Sequence, residues 1–394
     1  MTSALALGRA RSDIDVISRA GLPLHSFVDE TAATLQHVVP FVAACISTLD
    51  PATTMISSSR KLGELDGRNE QDVTWSQIEY GSDDPTSITA MVAAGQIAIG
   101  MNHVTQGVLD LSVRMSQLLV PHFDFRDEAR VAFVDRNGAW GHISLFRGNG
   151  EPAFAVEELD FLSAVAPAFT RGFRTGLLAK LSREEAGAQA GPAVVVFDSH
   201  DRVVQSTPGA HALLAQMIAV PGMADPLTSA QALVSGARRF ARGEVGTVPR
   251  IRARTADGVW VVLHASPLGG AGDRAGDVVV TIEEARPQDV IDLIGAAFDL
   301  TLRERDVVTA VLRGIDTRGI AAALHLSPYT VQDHLKSIFT KAGVSSRREL
   351  VARVYFDQYV PRMGARIGPS GWYSGGSGVS RTAFAAPRRE PQEL

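Results

Sequence analysis

The distribution of apolar positions predicts a first α+β region over residues 22–180, after an N-terminal arm over residues 1–21. An early set of apolar residues lies on one face of a helix: Phe27, Leu35, Val38, Val39 and Val42. Two strand–turn–strand patterns follow, over residues 44–57 and 129–146, and Asn137-Gly138 in the second is a strong hairpin signal. A long helix is predicted from Val156, because apolar residues then recur at helical spacing.

A polar stretch over residues 182–192 leads to a second predicted region, over residues 191–286. The apolar runs in it are short and bounded by turn residues, which predicts five strands: 194–197, 202–205, 248–254, 259–266 and 277–283. One helix carries Ala210, Leu213, Leu214 and Met217, and Asp257-Gly258 turns the third strand into the fourth. We therefore expect a small five-stranded α+β domain.

Residues 299–358 predict four short helices with well-marked ends. Three helix starts carry residues that satisfy free backbone N–H groups or suit the first turn: Thr301 with Glu304, Ser327 with Pro328, and Ser346 with Glu349. The second helix starts near Thr317. Gly314 and Gly343 end the first and third helices, where a left-handed residue is needed. His325-Leu326 makes a tight turn between the second and third helices, which is the helix-turn-helix arrangement.

The third of these helices has one apolar and one polar face. Its apolar face carries Val331, Leu335, Ile338 and Phe339. Its polar face carries Gln332, Asp333, Lys336 and Thr340. In a helix-turn-helix protein the outward face of the second helix of the motif lies in the major groove, so we expect these polar side chains to reach base edges.

The same residues resemble the LuxR-type DNA-binding domain over about 60 residues. The resemblance is carried by five runs of sequence: Leu300-Thr301-Leu302-Arg303-Glu304-Arg305, Ile320-Ala321, Leu326 to Leu335, Lys341-Ala342-Gly343-Val344, and Ser346-Arg347 with Glu349-Leu350. It implies an all-α domain over residues 287–360, a transcription regulator, and a homodimer on double-stranded DNA. RNA polymerase is a further expected partner if the protein activates transcription.

The resemblance also implies roles for individual residues. Base reading falls to Gln332, Asp333 and Lys336. Phosphate contacts fall to Ser327, Thr330 and Lys341, to which we add Tyr329 and Arg303. The fourth helix usually forms the dimer contact in this family, which here points to Leu350 and Val354.

Three residues depart from the family pattern. Thr317 stands where members usually have Asn, and Gly319 lies inside the second helix, where glycine costs up to about 1 kcal/mol. Asp333 places a negative charge where many members have an apolar or basic residue. An aspartate can accept from cytosine N4 but repels phosphate, so Asp333 puts the target sequence in doubt and leaves the class unchanged.

The two front regions resemble sensory domains. Residues 22–180 resemble a GAF domain, through the hairpins and a closing helix that contains Glu157-Glu158-Leu159. Residues 191–286 resemble a PAS domain, through the hairpin at 197–201 and the turn at 255–260. Both families bind small molecules or mediate dimers, which implies a sensing role with an unknown ligand and an unknown cofactor.

Charge is unevenly distributed along the 394 residues. Residues 299–394 carry 14 Lys and Arg against 9 Asp and Glu, a formal charge of +5, which leaves −10 for the rest of a chain whose total is −5. A basic C-terminal end suits an anionic partner. We expect the acidic front to restrain the basic end until a ligand or a partner shifts the population.

The remaining composition favours a protein of the cytoplasm without a membrane segment. The longest uncharged apolar stretch, about Ile88 to Val104, is a poor membrane span, and Cys45 as a single cysteine cannot form an internal disulfide. We interpret Cys45 as a small core residue, and a role in redox sensing is the alternative. Residues 361–394 are rich in Gly, Ser, Pro and Arg and predict a disordered tail.

Two rival functions remain open. An enzyme in the front half is disfavoured, because we find no nucleophile elbow, metal cluster or paired carboxylates in a motif, and we expect no catalytic residue. The histidines match no metal spacing: His103, His122, His142, His211 and His264. Trp75, Tyr80 and Trp140 could line an aromatic pocket or belong to the core. The other rival is a docking protein whose helix-turn-helix no longer binds DNA.

Overall fold

The computed structural model describes residues 4–179, 193–218, 227–255, 259–269 and 272–356. Three predicted segments lie outside the described residues: the linker over 182–192, the Asp257-Gly258 turn and the tail over 361–394. The described part contains two five-stranded antiparallel sheets of the same strand order, followed by a helical segment. When the five strands of each sheet are numbered in chain order, neighbouring strands follow the order 2-1-5-4-3 across the sheet.

The first sheet belongs to the front region. Its strands are β1 Ala43–Asp50, β2 Met55–Gly63, β3 Ala98–Gly100, β4 Asp127–Asp135 and β5 Gly138–Arg147. Its helices are α1 Ala4–Arg19, α2 Leu24–Gln36, α3 Asp72–Gly81, α4 Ile88–Ala93, α5 Met101–Val104, α6 Val120–Phe123 and α7 Val156–Leu177. Both predicted hairpins and the closing helix are confirmed.

Side chains alternate between the two faces of the first sheet, as in any strand. Ala129, Val131 and Phe133 of β4 lie in the apolar cluster that includes α2 and α7. Glu128 and Arg130, which alternate with these residues along β4, are also buried, so the opposite face of the sheet is covered as well.

Two expectations for the front region need correction. The predicted first helix ends at Gln36 rather than reaching Val42, which lies just before β1. The residues predicted as an arm form α1, which packs on α7 with Ala10 and Ile14 buried. These two apolar residues lie four apart on one helical face, which gave too weak a periodicity to predict the helix.

The second sheet has the five strands that its apolar runs predict. They are β6 Ala193–Phe197, β7 Val203–Ser206, β8 Arg250–Arg254, β9 Trp260–Pro267 and β10 Val278–Glu284. The predicted helix is α8 Pro208–Ile218, and a second helix, α9 Leu227–Ala241, was not predicted. Helix α9 packs on α3 and β2 of the front region and on β9 and β10 of its own sheet.

Polar contacts also join the two sheet-containing regions. Arg252 on β8 donates to Asp50 at the end of β1, with Nε 2.8 Å from Oδ2, and both side chains are buried. The Thr228 hydroxyl donates to Asp72 Oδ2 at 2.7 Å, and Gln77 Nε2 donates to Asp201 Oδ2 at the same distance. The two regions are therefore held to each other by buried and partly buried polar contacts as well as by α9.

The helical segment contains the four predicted helices and one more before them. They are α10 Pro287–Ala297, α11 Leu302–Leu312, α12 Thr317–Leu324, α13 Pro328–Ala342 and α14 Arg347–Val351. Helix α10 buries Val290, Leu293 and Ile294 and packs on both α7 and α11. Among the helices described, none is both long and apolar enough to cross a membrane.

Candidate nucleic-acid interface

The turn between α12 and α13 is fixed by local hydrogen bonds and one left-handed residue. His325 has φ of 55° and ends α12, and Ser327 Oγ accepts the backbone N–H of Thr330 at 3.0 Å to begin α13. Pro328 occupies the first turn, where its missing N–H is not needed. The start of α12 is capped by Asp316, whose Oδ1 accepts the N–H of Gly319 at 2.8 Å. These contacts confirm the predicted helix-turn-helix and set the angle at which α13 leaves the turn.

Packing of α13 decides which of its faces is free. Val331, Leu335 and Ile338 are at most 4% exposed and pack in the core that includes Ile320 and Ala321 of α12. Gln332, Asp333, Lys336 and Thr340 are exposed, so the predicted polar face is solvent-accessible. The front regions leave this face uncovered in the structure.

Within the predicted base-reading set, the charges lie next to each other. Lys336 Nζ is 3.6 Å from Asp333 Oδ1, and the two side chains are 77% and 66% exposed. An ion pair this exposed contributes little to stability, so either group can exchange its partner for a base edge. Gln332 Nε2 lies 3.5 Å from Thr317 Oγ1 on α12, which places its amide beside the turn.

The predicted phosphate contacts fall into two groups. Ser327, Tyr329 and Thr330 are exposed at the start of α13, and Tyr329 is 82% exposed. A helix start presents backbone N–H groups and the positive end of its dipole, which favours an anion such as phosphate. Arg303 is exposed on α11 and lies 3.4 Å from Asp306.

Lys341 has a role inside the domain that its sequence position did not indicate. Its Nζ donates to Glu304 Oε2 at 2.7 Å, and its side chain is 28% exposed. Burial alone would raise the pKa of Glu304, but hydrogen bonds from Lys341, Ser337 and Thr301 outweigh burial and lower that pKa to about 2. Lys341 therefore ties α13 to α11, and a phosphate contact by Lys341 stays a prediction.

The predicted dimer contacts need correction. Leu350 is 0% exposed and Val354 is 2% exposed, and both pack in the core of their own domain. Side chains already buried inside one subunit are not available to a second copy. The apolar character of Leu350 and Val354 predicted that they would be buried, but it could not distinguish burial in the core of one subunit from burial in a contact between two subunits.

The helical segment is joined to the front region by a set of contacts that we name the latch. It consists of Arg136, Asn137 and Arg174 on the front side and Ala297, Asp299 and Arg305 on the other. Arg136 Nη2 lies 2.7 Å from Asp299 Oδ1, Arg174 donates to the carbonyl oxygen of Ala297 at 3.1 Å from Nη2, and Arg305 donates to Asn137. Sequence analysis assigned none of these residues a role in joining the two parts of the chain.

In the ion pairs of the latch, the positive charges belong to the front region and the negative charge belongs to the helical segment, which is the reverse of what the net charges suggested. The arginines Arg136 and Arg174 come from the acidic front, and Asp299 comes from the basic end. Net charge describes long-range attraction between the two parts, whereas this junction depends on a few individual side chains. The net charges therefore did not predict which side supplies the arginines.

Two groups of the front region, His142 and Cys45, have pKa values shifted by their surroundings. Burial is the main cause that lowers the pKa of His142 to about 3, which makes it neutral, and burial raises the pKa of the Cys45 thiol, which disfavours the reactive thiolate. Cys45 Sγ lies 3.1 Å from Ser59 Oγ, in accord with its interpretation as a core residue. Across the described ranges, no group of three or more His, Cys, Asp or Glu side chains is placed to hold a metal ion.

Residues 299–354 match the model of the family described as bacterial regulatory proteins, luxR family. This segment is a LuxR-type helix-turn-helix domain. It covers the helix starts, the turn and the exposed face of α13 described above. The match ends within the helical segment and does not extend to either sheet.

Curated relatives share the same segment. An HTH-type transcriptional regulator of Mycobacterium bovis is 48% identical over 52 residues, which are 13% of this chain and 6% of the relative. Another from Aeromonas salmonicida is 47% identical over 51 residues, 13% of this chain and 26% of the relative. The transcriptional regulatory protein UhpA of Escherichia coli is 43% identical over 56 residues, 14% of this chain and 29% of the relative. This chain thus spans less than a third of the length of each of these relatives.

Solved structures resemble larger parts of the chain at low identity. The VqmA dimer of Vibrio cholerae, a LuxR-type receptor, is 17% identical with a TM-score of 0.21 and covers 42% of this chain and 82% of its own. The GAF domain of a phosphoenolpyruvate-protein phosphotransferase from Coxiella burnetii is 12% identical with a TM-score of 0.29 and covers 43% of this chain and 93% of its own.

Proposed function

We propose that this protein is a transcription regulator that binds double-stranded DNA sequence-specifically as a homodimer, with α13 in the major groove. The observation that carries the proposal is the exposed face of Gln332, Asp333 and Lys336 on a helix whose opposite face is buried through Val331, Leu335 and Ile338. It lies within a segment that matches the luxR family. A rigid helix with its polar face free is what major-groove reading requires.

Each base-reading side chain has a chemical preference. Lys336 suits the O6 and N7 acceptors of guanine, and Gln332 suits the N6 and N7 edge of adenine. Asp333 can accept only, which suits cytosine N4. Ser327, Tyr329 and Thr330 at the start of α13, together with Arg303 on α11 and Lys341, are proposed to contact the phosphate backbone.

The front regions are proposed to control this DNA binding. We assign residues 22–180 to a GAF-like domain and residues 191–286 to a PAS-like domain, with the DNA-binding domain over 287–360. The latch supports control through orientation, because it fixes the helical segment against the front while leaving the face of α13 exposed. We further propose a location in the cytoplasm and, for an activator, contact with RNA polymerase.

The proposal is tested by selection of random double-stranded genomic fragments on the purified full-length chain at near-physiological salt. Enrichment of a short palindromic motif is expected, because two copies related by a two-fold axis read two half-sites. A variant that loses the reading side chains, Gln332→Ala with Lys336→Ala, should lose this enrichment, whereas Arg11→Ala on the exposed surface of α1 should keep it.

Two results would contradict the proposal. Equal retention of all fragments by the unaltered chain would show binding without sequence reading. Retention of no fragment by a chain that still dimerises would favour the docking role instead.

A further inference from the structure

Helices α1 and α7 lie side by side in the front region and run in the same direction. Arg171 of α7 donates from Nη1 to Asp15 Oδ1 of α1 at 2.8 Å. Leu24 lies so close to Gly176 that a Cβ on this glycine would come within 2.9 Å of Leu24 Cα. Leu24 follows α1 in the chain, and Gly176 follows Arg171 along α7. The two helices are therefore parallel, with Asp15 at about the level of Arg171.

Each of these helices leaves one side exposed. The exposed positions recur every three or four residues, which places them in one stripe along each helix: Leu5, Arg9, Ser12 and Val16 on α1, and Glu157, Asp160, Ala164 and Pro167 on α7. We name the two stripes together the outer face. Leu5 is 81% exposed and Val16 is 67% exposed, although both are large aliphatic side chains. Two such side chains on one stripe indicate a contact surface.

Charge is separated along the outer face. Glu157 and Asp160 are exposed in the first turns of α7 and make its N-terminal end acidic. At the other end, Arg19 and Arg171 share the single carboxylate of Asp15, at 2.9 and 2.8 Å. Two arginines on one aspartate leave a positive charge in excess. The outer face is thus acidic at one end and basic at the other.

The apolar and the charged positions have the same spacing. Leu5 and Val16 are eleven residues apart, and so are Asp160 and Arg171. Eleven residues make about three turns of helix and span about 16 Å, so both members of a pair lie on the same side of their helix. Because Asp15 lies at the level of Arg171, the midpoints of the two pairs fall within about one residue of each other. Both pairs are centred on one line across the outer face.

We propose that two copies of this chain dimerise through the outer face, with a two-fold axis along that line and each helix antiparallel to its counterpart. Leu5 packs on Val16 of the second copy, and Asp160 pairs with Arg171 of the second copy. Every contact occurs twice, as a two-fold interface requires. Arg9 faces an uncharged residue of the second copy, because the same register places it opposite Ser12.

The charges of the outer face favour the antiparallel arrangement over a parallel one. Parallel copies would bring the two basic ends together, with Arg171 beside Arg19 of the second copy. They would also bring the two acidic ends together and leave Leu5 without an aliphatic partner. Like charges in contact oppose association, whereas the antiparallel arrangement places each acidic end on a basic end.

This inference deepens the proposed function, on which it rests for its role in DNA binding. It names the surface of the homodimer, for which Leu350 and Val354 are not available because they are buried. Arg174 lies three residues after Arg171 on α7 and holds the helical segment through the latch. Antiparallel copies place their two latches on opposite sides of the two-fold axis. Each copy then presents one α13 to one half of a palindromic site.

The first test measures the mass of the full-length chain by sedimentation equilibrium over a range of concentrations. Leu5→Asp places a charge against an aliphatic side chain of the second copy, and Asp160→Lys places a positive charge against Arg171. Each variant should weaken dimerisation about tenfold or more. Leu268→Asp changes a 42% exposed leucine of the second region, so it is the matched control and should leave the dimer unchanged.

The second test measures the register of the two copies. In a Cys45→Ala background, a chain with Leu5→Cys is mixed with a chain with Val16→Cys and treated with a short thiol-specific cross-linker. The mixture should give a cross-linked pair. The Leu5→Cys chain alone should not, because its two introduced thiols stand about 16 Å apart along the helix axis.

Three outcomes would overturn the proposal: a full-length chain that stays monomeric, a dimer that survives both Leu5→Asp and Asp160→Lys, or a Leu5→Cys chain that cross-links with itself as readily as with the Val16→Cys chain. Selection of DNA fragments separates this failure from that of the proposed function. A chain that selects a motif while both variants remain dimeric keeps the regulator and loses this interface. A chain that dimerises through the outer face but selects no motif keeps the interface and loses the regulator.

Discussion

Lys341 Nζ donates to Glu304 Oε2 at 2.7 Å and so joins the last turn of α13 to the first turn of α11. Glu304 is 4% exposed and also accepts from the Ser337 hydroxyl at 2.6 Å and from the Thr301 N–H at 2.7 Å. One carboxylate thus caps α11 and anchors α13. The orientation of α13, the helix that we propose reads DNA, depends on the charge of a residue that lies between α11 and α13 and not on the exposed face of α13.

The pKa of Glu304 makes this anchor sensitive to acid. Its folded pKa of about 2 lies below the ordinary value of 4.5, so the unfolded chain binds the proton more readily. The stabilisation is therefore fully present above about pH 4.5 and is lost as pH falls through the folded pKa of about 2. Hydrogen-exchange protection of α11 and α13 should fall over that interval.

A Glu304→Gln variant should remove most of that pH dependence and lower the protection of both helices by about 1–3 kcal/mol at neutral pH. Asp292→Asn, at an exposed position of α10, is the matched control and should leave the protection unchanged. Unaltered protection in Glu304→Gln would mean that the apolar core alone orients α13.

Lys336→Ala should cost about 1–3 kcal/mol of binding to the selected motif and relax preference at one base pair. Arg303→Ala should weaken binding to every sequence by a similar factor and reduce the salt dependence by about one phosphate contact. Titration of the motif and of a shuffled duplex, at several salt concentrations, measures both. If the two variants behave alike on both duplexes, Lys336 does not read a base.

The helical segment could be predicted in detail because its signals are local. Ser327 caps a backbone N–H three residues away, and Gly343 takes φ of 65° at the end of α13. Such contacts depend on neighbours in sequence, so the residue types alone indicate them. Four strands of the first sheet and all five of the second were predictable for the same reason, since alternation and turn residues are local features. The three-residue strand β3, Ala98–Gly100, was not predicted, because it is too short to show alternation.

Long-range contacts could not be predicted in this way. Helix α9 buries mostly small residues, such as Ala230, Ala232 and Ala237, so few large apolar side chains mark its buried face in the sequence. Arg174 and Ala297 are separated by 123 positions, and Arg171 and Asp15 by 156. Leu350 and Val354 illustrate the same limit, because an apolar residue fits a core and a dimer interface equally well.

Arg252→Ala should destabilise the contact between the two sheet-containing regions by about 3 kcal/mol or more, because it leaves Asp50 buried without its partner. The side chains of Arg252 and Asp50 are 9% and 2% exposed. Arg202→Ala removes an arginine from an aspartate as well, but Arg202 is 73% exposed, so the loss should be small. Thermal unfolding and limited proteolysis of both variants compare the two. Similar stability in the two variants would show that burial does not set the strength of this pair.

Arg174→Ala tests whether the latch restrains the DNA-binding domain. Arg174 is 17% exposed and bonds to Asp135 at 3.0 Å as well as to the Ala297 carbonyl, whereas the Arg136–Asp299 pair is about half exposed and contributes less. Without Arg174 the helical segment should reorient more freely and reach two half-sites more easily, which should raise affinity for the selected motif about fivefold or more.

Arg68→Ala is the matched control for this test, because Arg68 also bonds to a carboxylate and a backbone carbonyl, those of Glu70 and His122, but lies outside the latch. Fluorescence anisotropy with the labelled motif measures affinity, and X-ray scattering in solution measures whether the chain expands. Expansion with unchanged affinity would mean that the latch positions the domain without restraining it. Lower affinity would mean that the latched arrangement is the one that binds DNA, in which case a ligand acts by tightening the latch.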